Sequence, residues 1–67
     1  MMKTAREIAI MFGVTKSAVG YWVANGLPYE TERVIGVSPR RIFDPETVIT
    51  FLKLSEHEAE RIRKAGD

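Results

Sequence analysis

The chain is 67 residues long, with 45% hydrophobic and 28% charged residues, a formal net charge of +1 and no cysteine. This length allows one small domain, which neither a disulfide bond nor a thiolate zinc site can stabilise. The longest apolar run, Ile8–Val14, is far shorter than the roughly 20 residues of a membrane span, and no small-residue cleavage site follows it. We therefore expect a mainly helical, cytoplasmic protein without a membrane partner.

Two short helices are predicted first. Thr4 and Glu7 have the capping-box spacing, and Gly13 favours the left-handed end of that helix. Thr15 is a good N-cap for a second helix, which Asn25-Gly26 ends. The short connection predicts a near-perpendicular helix-turn-helix. The predicted apolar positions, with Trp22 assigned to the core, are Ala5, Ile8, Ala9 and Phe12 in the first helix and Ala18, Val19, Trp22 and Val23 in the second.

A β-hairpin is predicted next. Residues 32–35 and 40–43 are rich in β-branched or aromatic side chains, and they flank the turn-forming segment Gly36–Pro39. Two strands alone are marginally stable, so the hairpin must pack against the helices. Pro39 indicates an edge position with no further strand beside it.

The third helix is predicted to begin at Asp44 as N-cap, with Pro45 at its first position. Ser55 and Glu58 repeat the capping-box spacing, so either a fourth helix begins there or the third continues. Residues 56–65 are mostly charged and predict a solvated helix that frays toward its end. Its predicted ion pairs are Glu58–Arg61, Glu60–Arg63 and Glu60–Lys64, and the buried stripe of the third helix is Val48, Ile49, Phe51 and Leu52.

The order helix, tight turn, helix, hairpin, helix is that of a winged helix-turn-helix. We therefore predict a mainly α fold with a small β-hairpin, a winged helix-turn-helix domain at 1–54 and a charged helical tail at 55–67. Charge follows the same division. Residues 1–43 carry six bases against three acids (+3), whereas residues 44–67 carry four bases against six acids (−2). A basic front indicates a polyanionic partner.

No catalytic or metal-binding constellation is predicted. The single histidine, His57, lies between two glutamates and is expected on the surface. The five glycines are scattered singly, so there is no glycine-rich phosphate loop. The chain is also too small for a roofed pocket. We therefore predict a protein that is not an enzyme and has no cofactor. The serines and loop carboxylates read as caps, turns and solvated groups (Ser17, Ser38, Ser55, Glu30 and Glu32).

A DNA-binding surface is the constellation that the residues do support. The start of the second helix offers a base, hydroxyls and free backbone amides, which suit phosphates and base edges. Gly20 costs about 1 kcal/mol against alanine in a helix, which a close approach to DNA or to the first helix would explain. The predicted recognition-helix residues are Thr15, Lys16, Ser17, Gly20 and Tyr21, and the predicted wing residues are Arg33, Arg40 and Arg41.

Each of these residues also has a structural interpretation. Lys16 is compatible with an ordinary surface lysine, and Tyr21 with a partly buried packing residue. Arg40 and Arg41 are compatible with charges that protect an edge strand against aggregation. Because strand side chains alternate, these two arginines are expected on opposite faces of the hairpin. Their joint occurrence on the first three elements favours nucleic-acid binding over any single structural role.

The segments REIAIMFGVTKSAVGYWVANGLP and RRIFDPETVITFL resemble the MerR-like winged helix-turn-helix superfamily. The resemblance covers roughly residues 3–54 and extends to phage excisionases and to the DNA-binding domain of lambda-type terminase small subunits. It implies a recognition helix in the major groove, with Thr15, Lys16, Ser17 and Tyr21 in that role. It also implies a wing on the minor groove or its phosphates, carried by Arg33, Arg40 and Arg41.

The function expected from both arguments is sequence-preferring binding of double-stranded DNA in a phage or mobile element, as an excisionase-like protein or a small transcriptional regulator. One alternative is a terminase small-subunit domain that marks a packaging site. A second is a protein-interaction adaptor with the same fold. One recognition helix and one wing give limited specificity, so a second copy or a larger phage protein is expected as a further partner.

Overall fold

The computed structural model describes residues 1–66. This part of the chain holds four α-helices and one small antiparallel sheet, so the fold is mainly helical, as predicted. In chain order the elements are β1 (Lys3–Thr4), α1 (Ala5–Phe12), α2 (Lys16–Ala24), β2 (Glu30–Glu32), β3 (Arg40–Phe43), α3 (Pro45–Leu52) and α4 (Glu56–Ala65).

Every helix begins at a side chain that caps it, and all four predicted caps are confirmed. Thr4 Oγ1 accepts a hydrogen bond from the Glu7 amide at 3.3 Å, while Glu7 Oε1 accepts one from the Thr4 amide at 2.9 Å. These bonds hold the pKa of Glu7 below its ordinary range. The other caps accept from the amides of Ala18, Glu46 and Glu58, in the pairs Thr15–Ala18, Asp44–Glu46 and Ser55–Glu58.

Two left-handed residues separate successive helices. Gly13 has φ 69°, ends α1 and donates its amide to the carbonyls of Ala9 and Ile10, as its position predicted. Lys53 has φ 55° and ends α3 in the same way. Because Lys53 ends α3 before Ser55 caps the next helix, α4 is a separate helix. This resolves the alternative that the sequence left open.

The sheet differs from the predicted hairpin in its strand order. It has three strands in the order β1-β3-β2, with β3 in the centre. Lys3 and Thr4 pair with Phe43 and Ile42, a strand that no local pattern predicted. The edge position inferred from Pro39 is therefore wrong for β3. Pro39 directly precedes this strand, so it takes no amide out of the ladder.

The first strand of the hairpin also begins earlier than predicted. The expected strand was 32–35, whereas β2 covers Glu30–Glu32 and pairs in register with β3, Glu32 opposite Arg40. Val34 and Ile35 lie instead in a turn, where the Val37 amide donates to the Val34 carbonyl at 3.1 Å. Gly36, with φ 82°, occupies the turn position that requires a positive φ. The turn overrides the β propensity of its neighbours.

The main core lies between α1, α2, α3 and one face of β3. Its largest fully buried side chains are Phe43, Ile8, Val19 and Val48. Trp22 was predicted as core but is only partly buried. Its ring meets that of Phe12 edge-on, with centroids 6.0 Å apart, so it packs at the margin of the core. The buried members are Ile8, Ala9, Val19, Leu27, Phe43 and Val48.

The C-terminal helix packs against the rest of the molecule through a second apolar cluster. Ala59 and Ile62 of α4 are buried with Ile49 of α3, and Met11 and Phe12 of α1 pack against them. The prediction of a solvated helix therefore holds only for the charged faces of α4. The predicted tail extends to Asp67, which lies outside the described residues.

Arg63 attaches α4 to α3 by charge. Its guanidinium donates to both carboxylate oxygens of Glu46 at 2.8 Å and to Glu56 at 3.0 Å. These bonds lower the pKa of Glu46 and raise that of Arg63. Arg63 was predicted to pair with Glu60, so that pairing is wrong, whereas the predicted Glu60–Lys64 pair forms at 3.6 Å. The predicted Glu58–Arg61 pair is absent from the described residues, where Glu58 instead accepts a hydrogen bond from the Ser55 hydroxyl at 3.1 Å.

Candidate nucleic-acid interface

Four cationic residues from three elements line one concave surface. This surface, which we call the basic concavity, encloses about 410 Å³ and is lined by Thr4, Ala5, Arg6, Lys16, Arg40 and Arg41. No acidic residue is among these lining residues. Two of the predicted wing residues and one predicted recognition-helix residue therefore meet at a single surface. Arg6 joins them and was not among the predicted site residues.

The sheet brings Arg6 to this surface. Thr4 pairs with Ile42 of β3, so the first turn of α1 starts beside the strand that carries Arg40 and Arg41. Because β1 is only two residues long and has no local signature, Arg6 could not be placed beside the predicted wing from local sequence patterns. A basic residue in the first turn of a helix was the one available signal, since it opposes the helix dipole and lowers stability.

Arg40 is held by its cross-strand neighbour. Its Nε donates to Glu32 Oε1 at 2.7 Å, and its Nη2 lies 2.6 Å from the same oxygen. An exposed ion pair of this kind contributes about 0–1 kcal/mol, because solvent screens it. A guanidinium has five N–H donors, so Arg40 keeps donors for a phosphate while it is paired. Glu32 nevertheless neutralises part of its charge.

Arg41 is positioned by an aromatic ring rather than by a carboxylate. Its guanidinium carbon lies 5.1 Å from the centroid of the Tyr29 ring, a cation–π distance. The Tyr29 ring in turn meets that of Phe43, with centroids 6.1 Å apart. Tyr29 was missed in the sequence analysis. The register would have indicated it, because Thr31 lies opposite Arg41 and Tyr29 is the diagonal neighbour on the same face.

The start of α2 exposes the predicted recognition-helix side chains. Lys16, Ser17 and Tyr21 are exposed, with Tyr21 at 69%, so the interpretation of Tyr21 as a partly buried packing residue is wrong. Val19 of the same helix is buried. Of these predicted residues, Lys16 lines the basic concavity, whereas Ser17 and Tyr21 lie on α2 outside its lining.

Thr15 and Gly20 have different surroundings. The Thr15 hydroxyl accepts the Ala18 amide at 3.1 Å and so caps α2. Gly20 is exposed, and a methyl group added there would meet no atom within 4 Å. Of the two explanations given for Gly20, a close approach to the first helix is therefore wrong. The other explanation, a close approach to DNA, stays a prediction.

The loop of the hairpin carries the last predicted wing residue and an apolar tip. Arg33 is exposed and follows β2 directly, outside the lining of the basic concavity. We call the four residues Val34–Val37 the hairpin tip. They form the turn that is closed by the hydrogen bond from the Val37 amide to the Val34 carbonyl. Ile35 is fully exposed, and its two valine neighbours are more than half exposed. Val34 and Ile35 were predicted as strand residues, and none of these three side chains was predicted as part of a site.

The described residues contain no group of three histidine, aspartate and glutamate side chains that could hold a metal ion. His57 is exposed on α4, as predicted. Within the same part of the chain, no helix is both long enough and apolar enough to cross a bilayer. No protein-family model, curated protein or solved structure matches the sequence.

Proposed function

We propose that this protein is a winged helix-turn-helix that binds double-stranded DNA and has no catalytic activity. In this proposal α1 and α2 are the helix-turn-helix, and β2, β3 and their loop are the wing. The observation that carries it is the basic concavity, where Arg6, Lys16 and Arg41 have no carboxylate among the lining residues. Of its four cations, only Arg40 has a salt bridge within the described residues. Such a cationic concave surface favours a polyanion, and the DNA backbone is a polyanion that such surfaces neutralise.

The arrangement of α2 supports contact with base edges as well as phosphates. Its first turn combines the Lys16 charge with backbone amides at the positive end of the helix dipole. Ser17 and Tyr21 are exposed nearby, with hydroxyl groups that can donate to or accept from a base. In the proposed complex α2 lies in the major groove and supplies sequence preference, while Arg40 and Arg41 contact the flanking backbone.

The sequence resemblance supports the finer part of the proposal. It favours a role in a phage or mobile element, as an excisionase-like protein or a small transcriptional regulator. Useful specificity then requires a second copy on an adjacent site or a larger phage protein. A terminase small-subunit domain would share the DNA interface and differ in its protein partner. DNA binding through the basic concavity is therefore common to these roles, and the salt dependence tests it.

The first prediction concerns the salt dependence of binding. With roughly four phosphates neutralised, log K for a short duplex should fall against log salt with a slope of about −3 to −4. The Lys16→Ala/Arg41→Ala double variant should flatten that slope by about two units. Fluorescence anisotropy at several salt concentrations measures both.

The matched control removes two positive charges from α4. Arg61 and Lys64 are exposed and line a different surface depression beside His57. The Arg61→Ala/Lys64→Ala variant should therefore keep the parent slope. Equal slopes for both double variants would show that the basic concavity is not the interface. Absence of duplex binding at low salt would contradict the proposal itself and favour the adaptor alternative.

A further inference from the structure

The hairpin tip exposes an isoleucine that contacts nothing else in the described chain. Ile35 has 102% relative exposure, and its neighbours Val34 and Val37 have 51% and 61%. Exposed single aliphatic residues are ordinary, but here three lie within four consecutive positions at the end of a hairpin. They do not stabilise the core, because both apolar clusters are formed by other residues.

The tip is presented in a defined conformation. The Val37 amide bonds to the Val34 carbonyl, and Gly36 adopts φ 82° at the position where this turn requires it. Below the turn, Glu32 and Arg40 close the strands by pairing in register and by their ion pair. Ile35 therefore projects from the outermost point of a turn that is fixed at its base.

We propose that Ile35 inserts from the minor groove into a base step of the bound DNA and partly unstacks it. This inference rests on the proposed function, and it goes further by assigning DNA deformation to the wing tip. Proteins that kink DNA from the minor groove use aliphatic wedges of this kind, flanked by basic residues that hold the backbone. Arg33 lies two positions before Ile35, and Arg40 and Arg41 follow the tip in β3.

The length of the hairpin tip matches the depth of the DNA minor groove. Ile35 lies three residue steps beyond the last paired position, Glu32, a reach of at most about 10 Å. The minor groove of B-DNA is about 6 Å wide and about 7.5 Å deep. A single turn can therefore bring one aliphatic side chain to the base edges, while the guanidinium groups of the strands remain at the height of the phosphates.

The size of the tip argues against a second copy of the chain as its occupant. Even an aromatic side chain buries only about 150–250 Å², and stable protein interfaces bury about 800 Å² on each partner. One fully exposed isoleucine and two valines that are about half exposed fall below that area. The exposed Arg33 beside the tip would also meet its own counterpart in a symmetric dimer. DNA avoids both problems, because a base step can take up one aliphatic side chain and its phosphates attract Arg33.

The test uses a short duplex in which 2-aminopurine replaces the adenine of a central TA step, because pyrimidine–purine steps unstack most easily. Binding of the parent should increase the 2-aminopurine fluorescence. Ile35→Ser should abolish this increase and weaken binding by about tenfold, the lower end of what burial of one isoleucine provides. Its salt slope should equal that of the parent, since no charge is removed.

Two variants control for size and for surface hydrophobicity. Ile35→Met keeps a long apolar side chain at the tip and should retain the fluorescence increase. Ile10→Ser removes an exposed isoleucine from α1 and should behave as the parent. Analytical sedimentation without DNA measures the self-association of each variant. A change in self-association caused by Ile35→Ser, with the fluorescence response intact, would assign the tip to a second copy and overturn the inference.

The remaining outcomes separate this inference from the proposed function. Salt-dependent binding by the parent without any fluorescence increase would overturn the wedge and leave DNA binding in place. The same holds if Ile35→Ser unstacks the step as well as the parent does. If the parent does not bind the duplex even at low salt, the proposed function fails and the wedge fails with it.

Discussion

Arg40 and Arg41 are adjacent in β3, yet their guanidinium groups have different partners. Arg40 is paired with the carboxylate of Glu32, while Arg41 lies over the ring of Tyr29. The alternation of strand side chains predicted opposite faces, whereas both arginines line the basic concavity and differ in their partners. A ring orients a cation without cancelling its charge. Arg41 should therefore contribute more than Arg40 to the attraction of a polyanion.

The residue-scale prediction concerns Arg6, which the structure adds to the site. Arg6→Ala should flatten the salt slope of DNA binding by about one unit, since one phosphate contact is lost. The same substitution should weaken DNA binding but stabilise the fold. A positive charge in the first turn opposes the helix dipole, so its removal should raise the free energy of unfolding by about 0.3–1 kcal/mol. Anisotropy titrations and urea denaturation measure the two effects.

The two readouts together distinguish a contact residue from a folding residue. Arg61→Ala removes an arginine from α4, outside the basic concavity, and should leave the salt slope unchanged. Arg6→Lys should keep the slope of the parent, because the charge is retained. An Arg6→Ala variant that binds as the parent does, at every salt concentration, would remove Arg6 from the proposed interface.

At the scale of elements, the helices were predictable because their signals are local. Thr4, Thr15, Asp44 and Ser55 each cap a helix through a bond to an amide two or three residues later. A sequence shows such spacings directly. The glycine at position 13 likewise has the left-handed conformation that its place in the pattern required.

The strands were predicted less well because their limits depend on distant partners. β1 forms only because Lys3 and Thr4 meet β3, which lies about forty residues later in the chain. Val34 and Ile35 have high β propensity, but Gly36 places them in a turn. The same limitation hid part of the candidate site. Lys16 and Arg41 could be proposed from their own elements, whereas Arg6 and Tyr29 required the sheet register.

The element-scale prediction concerns the end of α3. Lys53 adopts φ 55° without being a glycine, a conformation that costs an L-residue about 1–2 kcal/mol. Lys53→Gly should relieve this cost, partly offset by the greater freedom of glycine in the unfolded chain, for a net gain of about 0.5 kcal/mol. Gly13→Ala places a side chain at φ 69° and should destabilise. Thermal denaturation of both variants would show opposite shifts, and a lower melting temperature for Lys53→Gly would contradict the cap assignment.

At the scale of the whole molecule, the charge asymmetry of the sequence corresponds to a division of surfaces. Every residue that lines the basic concavity lies between positions 4 and 41. The acids of the C-terminal part serve other contacts. Glu46 and Glu56 bind Arg63, and Glu60 binds Lys64. The C-terminal helix is thus joined to the domain by charge and by apolar burial, and it contributes no residue to the proposed interface.

The last prediction tests whether residues 1–54 form a domain without α4. Deleting residues 55–67 would expose the apolar surface that Ala59 and Ile62 cover on Ile49, Met11 and Phe12. Burial of one isoleucine contributes about 1.5–3 kcal/mol, and a chain of this size has roughly 3–10 kcal/mol of total stability. The truncated protein should therefore unfold at a clearly lower urea concentration than the full chain.

DNA binding gives the second half of this test. Because the basic concavity lies outside α4, the truncated protein should bind duplex DNA with the parent salt slope wherever it remains folded, at low temperature and without denaturant.

Ile62→Ala in the full chain should reproduce much of the loss of stability, by about 2–5 kcal/mol, since it leaves a cavity against Ile49. Exposed His57 serves as the control, and His57→Ala should change neither property. An equal urea midpoint for the truncated and full chains would show that the apolar contacts of α4 add nothing to the stability of the domain, and that residues 1–54 fold independently.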